Sequence, residues 1–494
     1  MSSIKKQGIQ NTIITYTGVV IGFISLLFVQ PNLLKPDELG LTRILVAAAS
    51  LIATILPLGI SGVTTRFFPY FRNTENRHYG YFGFMLLFPI IGTILCGFLI
   101  VAFKNTIIGQ YTEQSALFTQ FYDLLLPFSV IISLNMIMNA YCASLFKTAI
   151  ISFFEGIFTR VLFIILIVIY YFGWVNFTQF VYLFMLIYLL QLVSMIVYIL
   201  SIDKPSLKVD ITFLKSVGLP RLLQFGIILT VSNFSSIGLK HLDTLVLGRY
   251  MSLDYVGIFA VSAYIAMIIE IPLTSLEKIT HAKVAQGWAN SDIEGIKQIY
   301  YQSIKYLLLL GGLLLIGIIT NIHDLLKLLP EAYHQGATVV IITSIGAFLN
   351  IATGVNTSIL FTSEKYIYGT YLMIMLFVLS LTLNIIFIPL YGIEGAALAT
   401  LIASVIYNTL KYFIIWRSFK MQPYDTSTLK ILLAIGITFG LAYILPAVSN
   451  NEFISIAIRA IVTCSIYVGL AYYLKLAPEL YKHFPWKIKN ENSI

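Results

Sequence analysis

Charge is scarce in this sequence. Of its 494 residues only 11% are Asp, Glu, Lys or Arg, against about 25% in a soluble domain. That is too little to clothe a water-soluble globule of 55.5 kDa. Cysteine is scarcer still. Cys96, Cys142 and Cys464 all fall in apolar stretches and form no CxxC pair, so neither a disulfide framework nor a zinc knuckle is supported. The six histidines are scattered, with no pair at metal-ligand spacing. Neither GxxxxGKS/T nor HExxH occurs, which excludes the phosphate-cradling loop of nucleotide hydrolases and the zinc-protease helix. No metal and no cofactor is expected. The net charge of +9 is spread over many short loops, whereas a nucleic-acid reader clusters its basic residues on one face. No nucleic-acid partner is expected either.

Apolar length is abundant. Hydrophobic residues make up 58% of the chain and the mean hydropathy is +0.88. A hydrocarbon core ~30 Å thick takes about 20 apolar residues per helix. Reading between charges gives neutral windows at 10–34, 44–65, 79–103, 124–146, 161–202, 222–239, 255–269, 306–322, 335–363, 366–393, 395–410, 431–451 and 460–474. The window 161–202 holds Gly173-Trp174-Val175-Asn176, a turn signal, and counts as two spans. The expectation is an all-α integral membrane protein with fourteen transmembrane helices. The basic stub and long apolar run at the start read as the first span rather than a cleavable signal. With the N-terminus inside, the inner segments hold 21 Lys and Arg. The outer loops hold four, Lys35, Lys104, Arg249 and Lys327. Basic residues are retained in cytoplasmic loops, so both termini are expected to face the cytoplasm.

The chain also repeats itself. Pro36-Asp37-Glu38-Leu39-Gly40 parallels Leu253-Asp254-Tyr255-Val256-Gly257, 217 positions later, and Arg66 meets Lys283 at the same offset. Asn135 and Leu145-Phe146 match Asn350 and Leu360-Phe361 at an offset of 215. Six spans separate the copies, so the halves run parallel about an axis along the membrane normal. This reading gives an N-lobe at 1–201, a cytoplasmic linker at 202–221, a C-lobe at 222–420, and two further spans with a tail at 421–494.

Two six-helix lobes plus two spans resemble the multidrug/oligosaccharidyl-lipid/polysaccharide exporter superfamily. Asp243 to Tyr250 with Val256-Gly257-Ile258-Phe259 resembles the junction of the seventh and eighth spans in its polysaccharide branch. Pro389 to Ala399 resembles the opening of the twelfth, and Lys5 to Gly18 with Pro36 to Gly40 resembles the start of O-antigen and capsule flippases. The resemblance implies alternating access between lobes and a polyprenyl-linked oligosaccharide as substrate. It also implies a bacterial inner membrane and contact with polysaccharide polymerase machinery. Physical reasons support part of it, because Gly392, Gly395, Ala396, Ala397 and Ala399 form a small-residue face that lets helices approach closely.

Ionisable groups at membrane depth are costly and face a cavity or a partner. Arg160 lies about 16 Å into its span at 1.5 Å per residue, too deep for easy snorkelling. It either lines a cavity or pairs with Glu155 or Glu270. Lys240 and Asp243 are three apart and could neutralise each other. Lys411 and Arg459 lie near span ends, where long side chains snorkel to water. A surplus of buried positive charge suits an anionic headgroup, and arginine grips phosphate bidentately. The candidate phosphate ligands are therefore Arg160, Lys240 and Arg43. Asn233, Asn135 and Asn350 are candidates for sugar hydroxyls, and Asp243 and Glu270 for ion coupling.

These residues suggest a flippase, a transporter without covalent chemistry. A cation-coupled multidrug exporter of the same superfamily is the alternative, although residues 10–34 hold no Asp or Glu. A lipid II flippase would resemble a pattern of arginines in the first, second and eighth spans. Here only Arg43 fits, and Glu270 stands in the eighth. From another class, a membrane glycosyltransferase or polymerase acting on lipid-linked sugars usually needs a large outer loop. The longest here, about Lys104 to Ala116, holds one acid, Glu113.

Overall fold

The computed structural model describes residues 2–111, 116–445 and 451–476, and every described element is helical. Glu113 and the tail residues Lys482, Lys487 and Lys489 lie outside them. Thirteen described helices are long and apolar enough to cross a membrane. In the first half of the chain they are α1 (Ile13–Leu33), α2 (Pro36–Ile55), α3 (Arg77–Ala102), α4 (Tyr122–Ser144), α5 (Thr148–Tyr171), α6 (Phe177–Ile202) and α7 (Leu219–Tyr250). They continue as α8 (Leu253–Ala289), α9 (Ile293–Lys327), α10 (Glu331–Ile351), α11 (Tyr366–Phe419), α12 (Thr426–Ile444) and α13 (Glu452–Tyr473).

The fourteen expected spans become thirteen described helices at one place. The 54-residue α11 covers two of them, and its backbone leaves the helical region at Gly392, with φ 59° and ψ −133°. Glycine alone enters that region readily, and Pro389, inside the same helix, removes a further helical hydrogen bond. The expected turn at 173–176 is also found. Gly173 has φ 73°, and Asn176 caps α6 in a reciprocal box with Gln179, both bonds 2.9 Å.

The faces of the helices require lipid. Along α3, Ile90, Ile94, Phe98 and Val101 form one stripe at helical spacing, with Phe98 73% exposed. Such a stripe facing water would be an aggregation site.

Two compact units divide the chain, one of Met1–Val261 with Phe377–Ala396 and one of Ser262–Leu376 with Ala397–Ile494. Within the first, α7 runs along α2. The two copies of the sequence repeat meet there. Both open a helix, Pro36 that of α2 and Leu253 that of α8. A Cβ added at Gly40 would overlap the Leu253 carbonyl oxygen, and one at Gly257 would overlap the Pro36 carbonyl oxygen. The contact is reciprocal, as a pseudo-two-fold relation between the copies requires. Glu38 returns to the backbone N–H of Lys35 at 3.0 Å, closing the first turn of α2 and fixing that carbonyl.

Candidate functional site

In the first unit, charged side chains inside the membrane segments are open to solvent. Glu155 on α5 and Lys240 on α7 are exposed, and Arg160 and Asn139 are half-buried. An exposed charge at this depth faces water rather than hydrocarbon, because hydrocarbon cannot solvate it. Asn139 Nδ2 donates to Glu155 Oε1 at 2.5 Å, and Lys240 lies within electrostatic reach of the same carboxylate. The four residues come from α4, α5 and α7 and carry two cations and one anion.

Arg160 is held by helix α1. Its guanidinium donates to the Gly18 carbonyl oxygen. The room for it is made by Gly22, where any side chain would occupy the guanidinium's position. Gly18 itself packs on Gly156, whose oxygen would lie 2.9 Å from an added Cβ. A π-helical turn at Phe154–Phe158 changes the register between Glu155 and Arg160, so ordinary spacing rules fail there. One hydrogen bond to a backbone carbonyl leaves most of the five donors of an arginine for other work.

The other expected site residues are placed as follows. Arg43 donates to Gln30 Oε1, and Gln30 Nε2 donates to Ser25 Oγ at 2.9 Å. It thus ties α2 to the end of α1. Asp243 accepts from Asn384 Nδ2 at 2.9 Å. Asn233 is half-buried on α7. Asn135 is 6% exposed and donates to the carbonyls of Ile131 and Tyr188, each at 3.1 Å. Its amide joins α4 to α6, a packing role.

The second unit carries a different arrangement. Asn350 Nδ2 donates to Glu270 at 2.7 Å, and Asn408 Nδ2 donates to Asn350 Oδ1 at 3.0 Å. Seven residues along α8, Glu277 is hydrogen-bonded to the Thr357 hydroxyl. Lys411 Nζ reaches the same hydroxyl at 3.0 Å and sits 4.3 Å from the ring centroid of Tyr407. Two expectations are corrected here. Lys411 does not snorkel but is 3% exposed, its Nζ on the Thr357 hydroxyl and within electrostatic reach of the Glu277 carboxylate. Arg459 does not snorkel either; its Nη1 lies 3.0 Å from Asp324 Oδ2. Sequence reasoning missed both acids. Glu277 and Asp324 fell outside the charge-free windows, although the helices continue through them.

With this geometry in view, the chain can be set beside known proteins. Residues 229–386 match the MatE family model. No curated protein matches the chain in sequence. The inward closed conformation of the lipid II flippase MurJ superposes with a TM-score of 0.77 at 15% identity, covering 96% of this chain and 100% of that one. An inward-facing multidrug resistance MATE transporter of the MOP superfamily superposes at 0.65 with 14% identity, covering 83% and 98%. The chain has the fold of the MOP superfamily. The Vibrio cholerae MATE transporter VcmN in its bent form matches less closely, at a TM-score of 0.50 and 14% identity over 85% of this chain and 98% of that one. Those two neighbours are a flippase and a transporter, and this chain is a multi-pass membrane protein that shares their fold.

Proposed function

We propose that the protein is a flippase that carries an undecaprenyl-(pyro)phosphate-linked oligosaccharide across the bacterial inner membrane for surface polysaccharide assembly. The observation that carries this reading is the exposed pair Lys240 and Glu155, with the half-buried Arg160, inside the first unit. Their surplus positive charge suits the phosphate of a lipid-linked sugar. The headgroup would cross through an aqueous space while the polyprenyl tail stays in the bilayer. That a neighbour of the same fold is a lipid II flippase supports a lipid-linked cargo. Two rocking lobes of six helices, with both termini in the cytoplasm, fit the reciprocal Gly40 and Gly257 contact. Driving energy would come from an ion gradient, with Asp243 or Glu270 as coupling carboxylates, or from consumption of the product by a polymerase.

A second reading is favoured by Glu155. An exposed carboxylate with a hydrogen-bonded amide can hold an organic cation, as a multidrug exporter would need. Deleting the gene separates the two. Complete lipid-linked units should accumulate on the cytoplasmic face, with surface polymer lost. Unchanged polymer with new sensitivity to cationic dyes would assign the exporter instead.

A further inference from the structure

The segment joining α6 to α7 is fastened along most of its length. Arg77, His78, Tyr79 and Gly80 take four successive left-handed conformations, with φ 47°, 55°, 52° and 70°. Three of these are residues for which that region is unfavourable, and such a run persists only where its surroundings over-determine it. The surroundings here are the linker. The turn drives His78 inward to 1% exposure, with Nε2 3.5 Å from Asp203 Oδ2. Tyr141 donates to the same carboxylate at 2.5 Å. The turn also lays the Tyr79 ring flat on Phe213, centroids 3.7 Å apart and 4° from parallel.

Backbone contacts fill the space between these two anchors. Asp210 N–H donates to the Tyr79 carbonyl at 3.1 Å, and Gly83 N–H to the Ser206 carbonyl at 3.3 Å. Side chains at Gly80 and Gly83 would overlap the carbonyls of Lys208 and Leu207. The short helix Ile211–Val217 then ends at Gly218, with φ 98° and ψ 75°. Its backbone bonds stay within three to four residues, from its N–H to the Lys215 carbonyl at 3.1 Å and to its carbonyl from the N–H groups of Arg221 at 3.1 Å and Leu222 at 3.3 Å. A Cβ there would meet only the Arg221 Cβ, at 3.9 Å, and α7 begins at the next position.

We propose that residues 203–217 are a strap that moves as part of the first six helices, and that Gly218 is the joint on which α7 turns when it leaves α2. The linker is then a fixed arm with a one-residue pivot rather than a flexible tether. This rests on the transporter reading but needs no particular substrate, so its failure and the failure of the flippase assignment are distinguishable.

Two measurements on the purified full-length protein test it. Limited trypsin digestion at Lys208 reads the strap. Phe213→Ala, which removes the ring stack and leaves the spans intact, should accelerate cleavage there about tenfold; Gly80→Ala should do the same. Equal rates in wild type and Phe213→Ala would overturn the strap. Spin labels at Thr65→Cys, on the helix Ile60–Phe71 that follows α2, and at Leu223→Cys on α7, with the three native cysteines changed to Ser, read the separation of α7 from the α2 side of the unit. Wild type should show two distance populations, Gly218→Ala one, and Gly218→Asn most of the second, since Asn tolerates the left-handed region. The same distribution in wild type and Gly218→Ala, with one population or two, would overturn the joint.

Discussion

Two clusters of charge, one in each unit, are treated in opposite ways. In the first, Glu155 and Lys240 stand open to water and Arg160 uses one hydrogen bond on a backbone carbonyl. In the second, Glu277 and Lys411 share the Thr357 hydroxyl, Glu270 is met by a two-asparagine relay, and Arg459 is paired with Asp324. Charges of the first kind are available to a ligand. Charges of the second kind hold helices together, and their energy comes from mutual satisfaction rather than from solvent. The repeat sharpens the contrast. Asn135 and Asn350 match in the sequence at an offset of 215, yet the first donates to backbone carbonyls and the second to a carboxylate.

The largest effect should come from breaking a satisfied pair in the second unit. Lys411→Met leaves the Glu277 carboxylate without its cation, a loss on the order of 3–5 kcal/mol. The protein should be depleted from membranes and its thermal unfolding lowered. Glu277→Gln with Lys411→Met should recover most of that loss, because no uncompensated charge then remains. Equal destabilisation in single and double variants would show that the pair is not what matters.

A smaller loss is expected at the meeting of the two repeats. Gly257→Ala pushes a methyl group into the Pro36 carbonyl, and Gly40→Ala does the same to Leu253. Each should cost about 1–3 kcal/mol, the usual range for overpacking. Because the two glycines share one contact, the double variant should cost less than the sum of the singles. Strict additivity in thermal unfolding would contradict the reciprocal contact.

The same contrast explains what could be read from the chain. Apolar windows located the helices because bilayer thickness sets their length, and Gly173 marked a turn; Gly392 was read only as part of a small-residue face, and the backbone break there was not read. Both copies of the sequence motif open a helix and meet at a glycine. Charge-free windows failed where helices run on through charges. The window 255–269 belongs to a 37-residue helix and 306–322 to one of 35. Glu277 and Asp324 were thereby lost as partners, and Lys411 and Arg459 looked able to snorkel. Arg160 was found from depth alone. Its seat on Gly18 and Gly22 was not, since glycine in a membrane helix signals close approach without saying to what.

The central claim is that the open charges of the first unit recognise an anionic lipid headgroup. It is tested most directly by translocation of a fluorescent polyprenyl-pyrophosphate sugar in vesicles containing the purified protein. Lys240→Gln and Arg160→Lys should each slow translocation at least tenfold while thermal stability stays near wild type, because neither residue closes a buried ion pair. Wild-type rates in both variants, or translocation of the substrate's uncharged analogue at the same rate, would contradict the account.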